Sequence, residues 1–282
     1  MEDAVHAEQG PDAWEVFDGW KPIRIPDPSP PNWQVFDDLF AAYSAVTDGY
    51  YIEFDKLIEQ WDGELAEFGN DPTRTDWSRF RPLRLSREED WSDWLAYLIE
   101  RSDTGVFAQR LLSIPVQKQG DYTLPLNVDR EVSHGEYRAD IVVQWADKSH
   151  THIEVKVGDD DLGKTSATGR AMRSGYRQSP RKWTNFILML SQQVTYWDGE
   201  SHDEDGEPPV NVITWSDVSV ALRQALRSEE QLLWKSWAYS FLGAIEQLLV
   251  GFPGHRLKAR PIEKLDDKIQ IMKKGFEDEP AN

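Results

Sequence analysis

Asp140 and the triplet Glu154-Val155-Lys156 are the residues of this 282-residue chain whose types and spacing could do chemistry. They lie in YRADIVVQWADKSHTHIEVKV, which reads as two strands joined by the polar turn Ala146-Asp147-Lys148-Ser149. Strand side chains alternate faces, so His152, Glu154 and Lys156 share one face while Ile153, Val155 and Val157 take the other. Hairpin pairing carries Asp140 towards the end of the second strand, where Glu154 and Lys156 lie. Two carboxylates beside an ammonium suit a hard divalent cation next to a phosphodiester. Mg²⁺ keeps several waters and is usually held by one or two carboxylates plus substrate phosphate. Asp140 and Glu154 are the candidate carboxylates, the Val155 carbonyl a further oxygen ligand, and Mg²⁺ (or Mn²⁺) the expected cofactor. Such a cation polarises a phosphoryl oxygen and acidifies a bound water. Lys156 then orients that water or neutralises charge developing on the phosphate. The competing reading is a surface hairpin in which Asp140 pairs with Arg138 or Lys156.

Several elements must position these groups. ADIVVQW is apolar and β-branched and reads as a buried strand. Upstream, SREEDWSDWLAYLIE reads as a helix opened by a capping box of Ser86 and Glu89. Trp91, Trp94, Leu95, Leu98 and Ile99 give it one apolar face. Glu88, Glu89, Asp90 and Asp93 fall in its first turns, where the helix dipole favours negative charge, and that explains most of them without a function. Downstream come a helix from about Asp161 to Tyr176, the strands NFILML and VNVITW, and the amphipathic helix SEEQLLWKSWAYSFLGAIEQLLV.

Asp140, thirteen intervening residues and Glu154-x-Lys156 resemble the signature of the PD-(D/E)xK nuclease superfamily, the restriction-endonuclease-like fold. The resemblance covers roughly Leu85 to Val250, and Ala139 stands where the superfamily's name has proline. It implies an α/β core with a central mixed sheet flanked by helices, and a Mg-dependent nuclease acting on DNA before RNA. It also implies a setting in bacterial restriction or anti-phage defence, and one more metal-binding acid from the first helix. Glu89 is the preferred acid, with Glu88 next.

Between Val155 and Leu190 seven Lys/Arg face three acids. Arg170, Arg173 and Arg177 recur at helical spacing and, with Lys182, are candidate contacts to nucleic-acid phosphates. A solvated helix face is the plain alternative for any one of them. Elsewhere the charge has the opposite sign. The chain carries −19 overall, and Met1 to Leu85 holds 18 acids against 7 bases. A free-standing nucleic-acid scanner is usually basic, so a protein partner or a homo-oligomer is expected to help deliver the substrate. The same acidity keeps two alternatives open, a catalytically silent nuclease-fold subunit and an acidic protein that mimics nucleic acid. The basic residues beside the motif oppose the mimic.

Three regions follow: an acidic N-terminal region (1–85), the nuclease-like core (86–250) and a polar C-terminal tail (251–282). In the first, IPDPSPPNW reads as an extended linker, and VFDDLFAAYSAV and YYIEFDKLIEQWDGELAEF read as acidic amphipathic helices. Ile52, Phe54, Leu57, Ile58 and Trp61 fall near one face of the second. HDEDGEPP reads as an exposed acidic loop. There is no cysteine, and no apolar run approaches the roughly 20 residues needed to span a membrane, so no membrane partner and a cytoplasmic location are expected. His134, His150 and His152 lie near the motif as a possible base or ligand, although strand-edge imidazoles bonded to neighbours are commoner. Gly163-Lys164-Thr165 lacks the upstream glycine spacing of a phosphate-binding loop.

Overall fold

A computed structural model describes residues 33–75, 77, 85–113, 124–158, 164–175, 182–195, 197, 209–228, 230–252 and 262–277. The proline-rich stretch up to residue 32, the acidic loop at 202–208, Asp161, Tyr176 and Arg177 lie outside these residues. The chain divides into two compact units, Met1–Val46 and Thr47–Asn282, and the second holds the sheet.

Helix α1 spans Trp33–Glu64, and α2 (Glu88–Glu100) and α3 (Val106–Ser113) precede the strands. Then follow β1 (Pro125–His134), β2 (Tyr137–Trp145), β3 (His150–Val155), α4 (Thr165–Gly175), β4 (Trp183–Met189), α5 (Ser191–Val194) and β5 (Val210–Thr214). Helices α6 (Trp215–Leu226), α7 (Leu232–Ala244) and α8 (Ile262–Phe276) complete the order, with a π-helical turn at Ile245–Leu249. The five strands form one mixed sheet in the order β1-β2-β3-β4-β5. The β1–β2 and β2–β3 pairs are antiparallel, and the β3–β4 and β4–β5 pairs are parallel. The α/β class and the helix-flanked mixed sheet are therefore as the resemblance implied.

One face of the sheet carries the principal core. Ile141, Val143 and Trp145 of β2, Ile153 and Val155 of β3, Phe186 and Leu188 of β4 and Ile213 of β5 are buried there with side chains of α2, α3, α6, α7 and α8. Every second residue of β2 and β3 supplies this face, as period-two alternation requires. On the other side Met172 of α4 packs with Ala139, Val142 and Trp183 in a smaller cluster. Here α4 comes very close to the sheet. A Cβ added at Gly169 would lie 2.3 Å from Oδ1 of Asn185, a buried amide that accepts a 2.7 Å bond from the Trp183 indole. Gly169→Ala is therefore expected to push α4 off β4 and to destabilise the fold by about 1–3 kcal/mol, read as a drop in the urea unfolding midpoint.

Several elements depart from the sequence reading. The two N-terminal helices are one continuous helix, because Gly49 alone does not break it. Phe54, Leu57, Ile58 and Trp61 are buried as expected, whereas Ile52 is exposed. The capping acid of α2 is Asp90, not Glu89: its Oδ2 accepts from Ser86 N, Ser86 Oγ and Arg87 N at 2.9, 3.1 and 3.0 Å. Beyond Gly251 the chain is more than a polar tail, since α8 packs on α6 and buries Leu265, Ile269 and Met272 at helical spacing. Finally, α3, α5, α6 and the edge strand β1 went unread. Most of β1 is exposed, so it lacks the alternation that marks a half-buried strand.

Candidate active site

Antiparallel register brings the motif together. Ile141 pairs with Ile153, so Asp140 stands one step beyond, level with Glu154, where the paired part of β2 and β3 ends. There the Asp140 side chain replaces the next ladder bond, its Oδ2 accepting from Val155 N at 2.8 Å. The hairpin prediction for Asp140, Glu154 and Lys156 thus holds geometrically. Lys156 Nζ lies 3.3 Å from Glu154 Oε1. Its main chain is clamped on both sides: Lys156 N donates to Leu188 O at 2.8 Å, and the Trp215 indole donates to Lys156 O at 2.9 Å. The lysine therefore leaves the sheet from a backbone held by β4 and α6.

The electrostatics follow from crowding two acids under partial burial. Burial, and after it the charge of Glu154, pushes the Asp140 carboxyl up to about 7 from 3.8. Burial would also raise Glu154, but His152 and Lys156 outweigh it and hold that carboxyl below its ordinary value. Near neutral pH the pair therefore titrates together, with Asp140 the more readily protonated of the two. Burial acts to lower the Lys156 ammonium, yet Glu154, Glu88 and Asp140 raise it above 10.5, so it stays charged across the physiological range. Lys156 is consequently a fixed cation and not a base.

His152 is fully buried beside the pair, its Nε2 3.6 Å from Glu154 Oε2, and neither atom has a hydrogen-bond partner in the protein. An unpartnered carboxylate oxygen on an acid next to a protonated acid is the environment a divalent cation neutralises. Asp140 and Glu154 fit the carboxylate part of such a site. Among the described residues no group of three or more ligating side chains comes together, so further oxygens would come from main chain, water and substrate.

The helix acids sort themselves by the cap. With Asp90 taken up at the N-terminus of α2, Glu88 reaches the end of β3, where its Oε1 accepts from Val157 N at 2.8 Å and Gly158 N at 3.4 Å. Its charge is also among those that raise Lys156. Glu89 instead lies 3.9 Å from Arg138. The structure thus brings Glu88, and not the favoured Glu89, to the motif. The signal was the phase of the capping acid, and Ser86-x-x-Glu89 mimicked a capping box one residue out of step.

Arg170 and Arg173 are exposed on α4, on the side away from the buried Thr165, Thr168 and Met172, and Lys182 is exposed just before β4. Arg177 lies outside the described residues. His150 stacks on Trp183 at a centroid distance of 5.8 Å and so belongs to the packing. Lys164 and Thr165 stand at the opening of α4, and Gly163 lies outside the described residues.

The Asp140 shift gives a pH prediction. Its folded pKa, about 7, lies above the ordinary 3.8, so between these values the folded protein binds more protons than the unfolded chain. Stability from this group is full below about 4 and is lost as pH rises through 7. In chelator-containing buffer, Asp140→Asn is expected to gain thermal stability relative to wild type from pH 4 to 7, and the gap should then level off. A gap that shrinks with pH would contradict the shift.

None of the described helices is long and apolar enough to cross a membrane. Comparison with protein-family models, with curated proteins and with solved structures finds no match to this chain.

Proposed function

We propose that the chain is a metal-dependent phosphodiesterase, a nuclease of the PD-(D/E)xK type acting on DNA before RNA. The observation that carries this reading is the meeting of Asp140, Glu154 and Lys156 at the end of the β2–β3 pairing, with the Asp140 carboxyl raised by burial and then by Glu154. Asp140, Glu154 and the Val155 carbonyl would hold a Mg²⁺ or Mn²⁺ ion, which when bound supplies Lewis-acid polarisation of the scissile phosphate. Glu88 anchors the chain that leaves β3, and so fixes where Lys156 points. The Lys156 ammonium lies against Glu154 and stabilises negative charge as the phosphate becomes five-coordinate. Arg170, Arg173 and Lys182 would meet backbone phosphates, with little sequence preference. With a net charge of −19 the chain engages nucleic acid through a partner, in a setting such as restriction or anti-phage defence.

A second reading, a silent nuclease-fold subunit, is favoured by the missing third ligating side chain among the described residues. Wild type and Asp140→Ala, incubated with Mg²⁺ or Mn²⁺ and duplex DNA, single-stranded DNA or RNA, separate the two. Cleavage by wild type and none by the variant is the expected result. Equal cleavage by both would refute the assignment, and cleavage by neither would leave the silent subunit or an absent partner.

A further inference from the structure

The first half of α1 carries an apolar stripe with no counterpart in the site chemistry. Val35, Leu39, Phe40 and Val46 are 57, 62, 66 and 55% exposed. Val35, Leu39 and Val46 are spaced by four and seven residues and lie on one side of the helix, with Phe40 at its border. Exposed apolar residues occurring singly are ordinary, whereas a contiguous row on one helix marks an interaction surface. Asp37 and Asp38 border the stripe on its two sides. From Trp33 to Asp55 the chain holds Asp37, Asp38, Asp48, Glu53 and Asp55 and not one lysine or arginine.

That charge selects the occupant. A second copy brings the same acids on a chain of −19, so like charges would flank both sides of the seam. Residues 1–32 of the same chain hold seven acids against two bases, again the wrong sign. A lipid surface is no better, since helices that lie on membranes present lysine and arginine to anionic headgroups. We infer that the first half of α1 docks an amphipathic helix of a partner protein whose apolar face is bordered by lysines and arginines. Apolar anchors spaced by four and seven residues then supply the contact, and flanking charge pairs select partner and orientation. This inference is independent of the nuclease reading, because none of its residues belongs to the Asp140 site.

The test uses the full chain and three labelled synthetic peptides followed by fluorescence anisotropy. The first is a helix with a leucine face and lysine flanks, the second its glutamate-flanked counterpart, and the third a scrambled peptide of the first one's composition. The lysine-flanked helix is expected to bind wild type at least about tenfold more tightly than Leu39→Asp/Phe40→Asp. Asp37→Lys/Asp38→Lys should shift preference towards the glutamate-flanked peptide. All these positions are exposed, and unchanged thermal unfolding of the variants would show that folding is intact. Equal binding of the scrambled peptide, or undiminished binding by the Leu39→Asp/Phe40→Asp variant, would overturn the inference. So would a wild-type dimer that this variant converts to monomer, since a second copy would then be the occupant.

Discussion

Lys156→Ala is expected to lower the single-turnover rate of phosphodiester cleavage by about 10²–10³-fold, the usual loss when a preorganised charge-stabilising group is removed. The ammonium sits 3.3 Å from Glu154 on a main chain fixed by Leu188 and Trp215, so its position is prepaid before substrate arrives. Since its pKa lies above 10.5, the rate of the wild type should show no limb from lysine deprotonation below pH 9. Lys156→Arg keeps the charge but not the compact shape, and partial activity is expected. Glu154→Gln should be as inactive as the alanine variant, and for a different reason, since it removes a carboxylate and leaves Asp140 without the neighbour that raises it. A Lys156→Ala enzyme that cuts at the wild-type rate would remove the lysine from the chemistry.

Arg223→Ala is expected to destabilise the protein by about 3–5 kcal/mol, the cost of leaving buried charges unpaired. Arg223 is fully buried, donating from Nη1 to Asp71 at 2.8 Å and from Nε and Nη2 to Glu246 at 2.7 and 2.9 Å. Ser219 and Lys268 also bond Glu246, and the guanidinium lies 4.7 Å over the Trp61 ring. Two acids and two bases thus balance inside a junction of α1, α6, the π-helical turn and α8. The loss is a large share of the 5–15 kcal/mol by which domains are stable. Burial opposes ionisation of Asp71 and Glu246, but Arg223 and Lys268 win and hold both carboxyls below their ordinary values. In wild type their contribution is present above the unfolded carboxylate range, near pH 4, and is lost as pH falls further. Without Arg223 the buried carboxyls take up protons more readily, so the deficit should be largest at neutral pH and shrink towards pH 4. Urea unfolding of both proteins across that range checks it, and a deficit independent of pH would point to lost packing alone.

Much of this was legible where a residue's neighbours in sequence decide its place. The period-two pattern of HIEV set the faces of β3, and the apolar, β-branched run ADIVVQW marked β2. The register that brings Asp140 level with Glu154 belongs instead to the paired strands and not to the turn sequence. Glu88 was harder, because three adjacent acids differ only in helical phase, and the phase depends on which residue caps α2. The buried cluster was harder still. Asp71 and Arg223 are 152 residues apart, and nothing in the local pattern of α6 separates a buried arginine from an exposed one. Similarly, α8 carries its apolar residues between lysines and acids that look solvated, and Lys268 is buried where it meets Glu246 of the π-helical turn and the Phe252 ring.

Titration of metal-free wild type and Asp140→Asn with Mn²⁺, followed by electron paramagnetic resonance, tests the central claim most directly. Both proteins fold the same sheet and differ in one carboxylate at the site. Wild type is expected to bind Mn²⁺ and the variant to bind it at least about tenfold more weakly, the loss typical of removing a group at a metal centre. Equal affinity in the two proteins, or no binding by wild type with duplex DNA present, would contradict the assignment of Asp140 and Glu154 as a cation-holding pair.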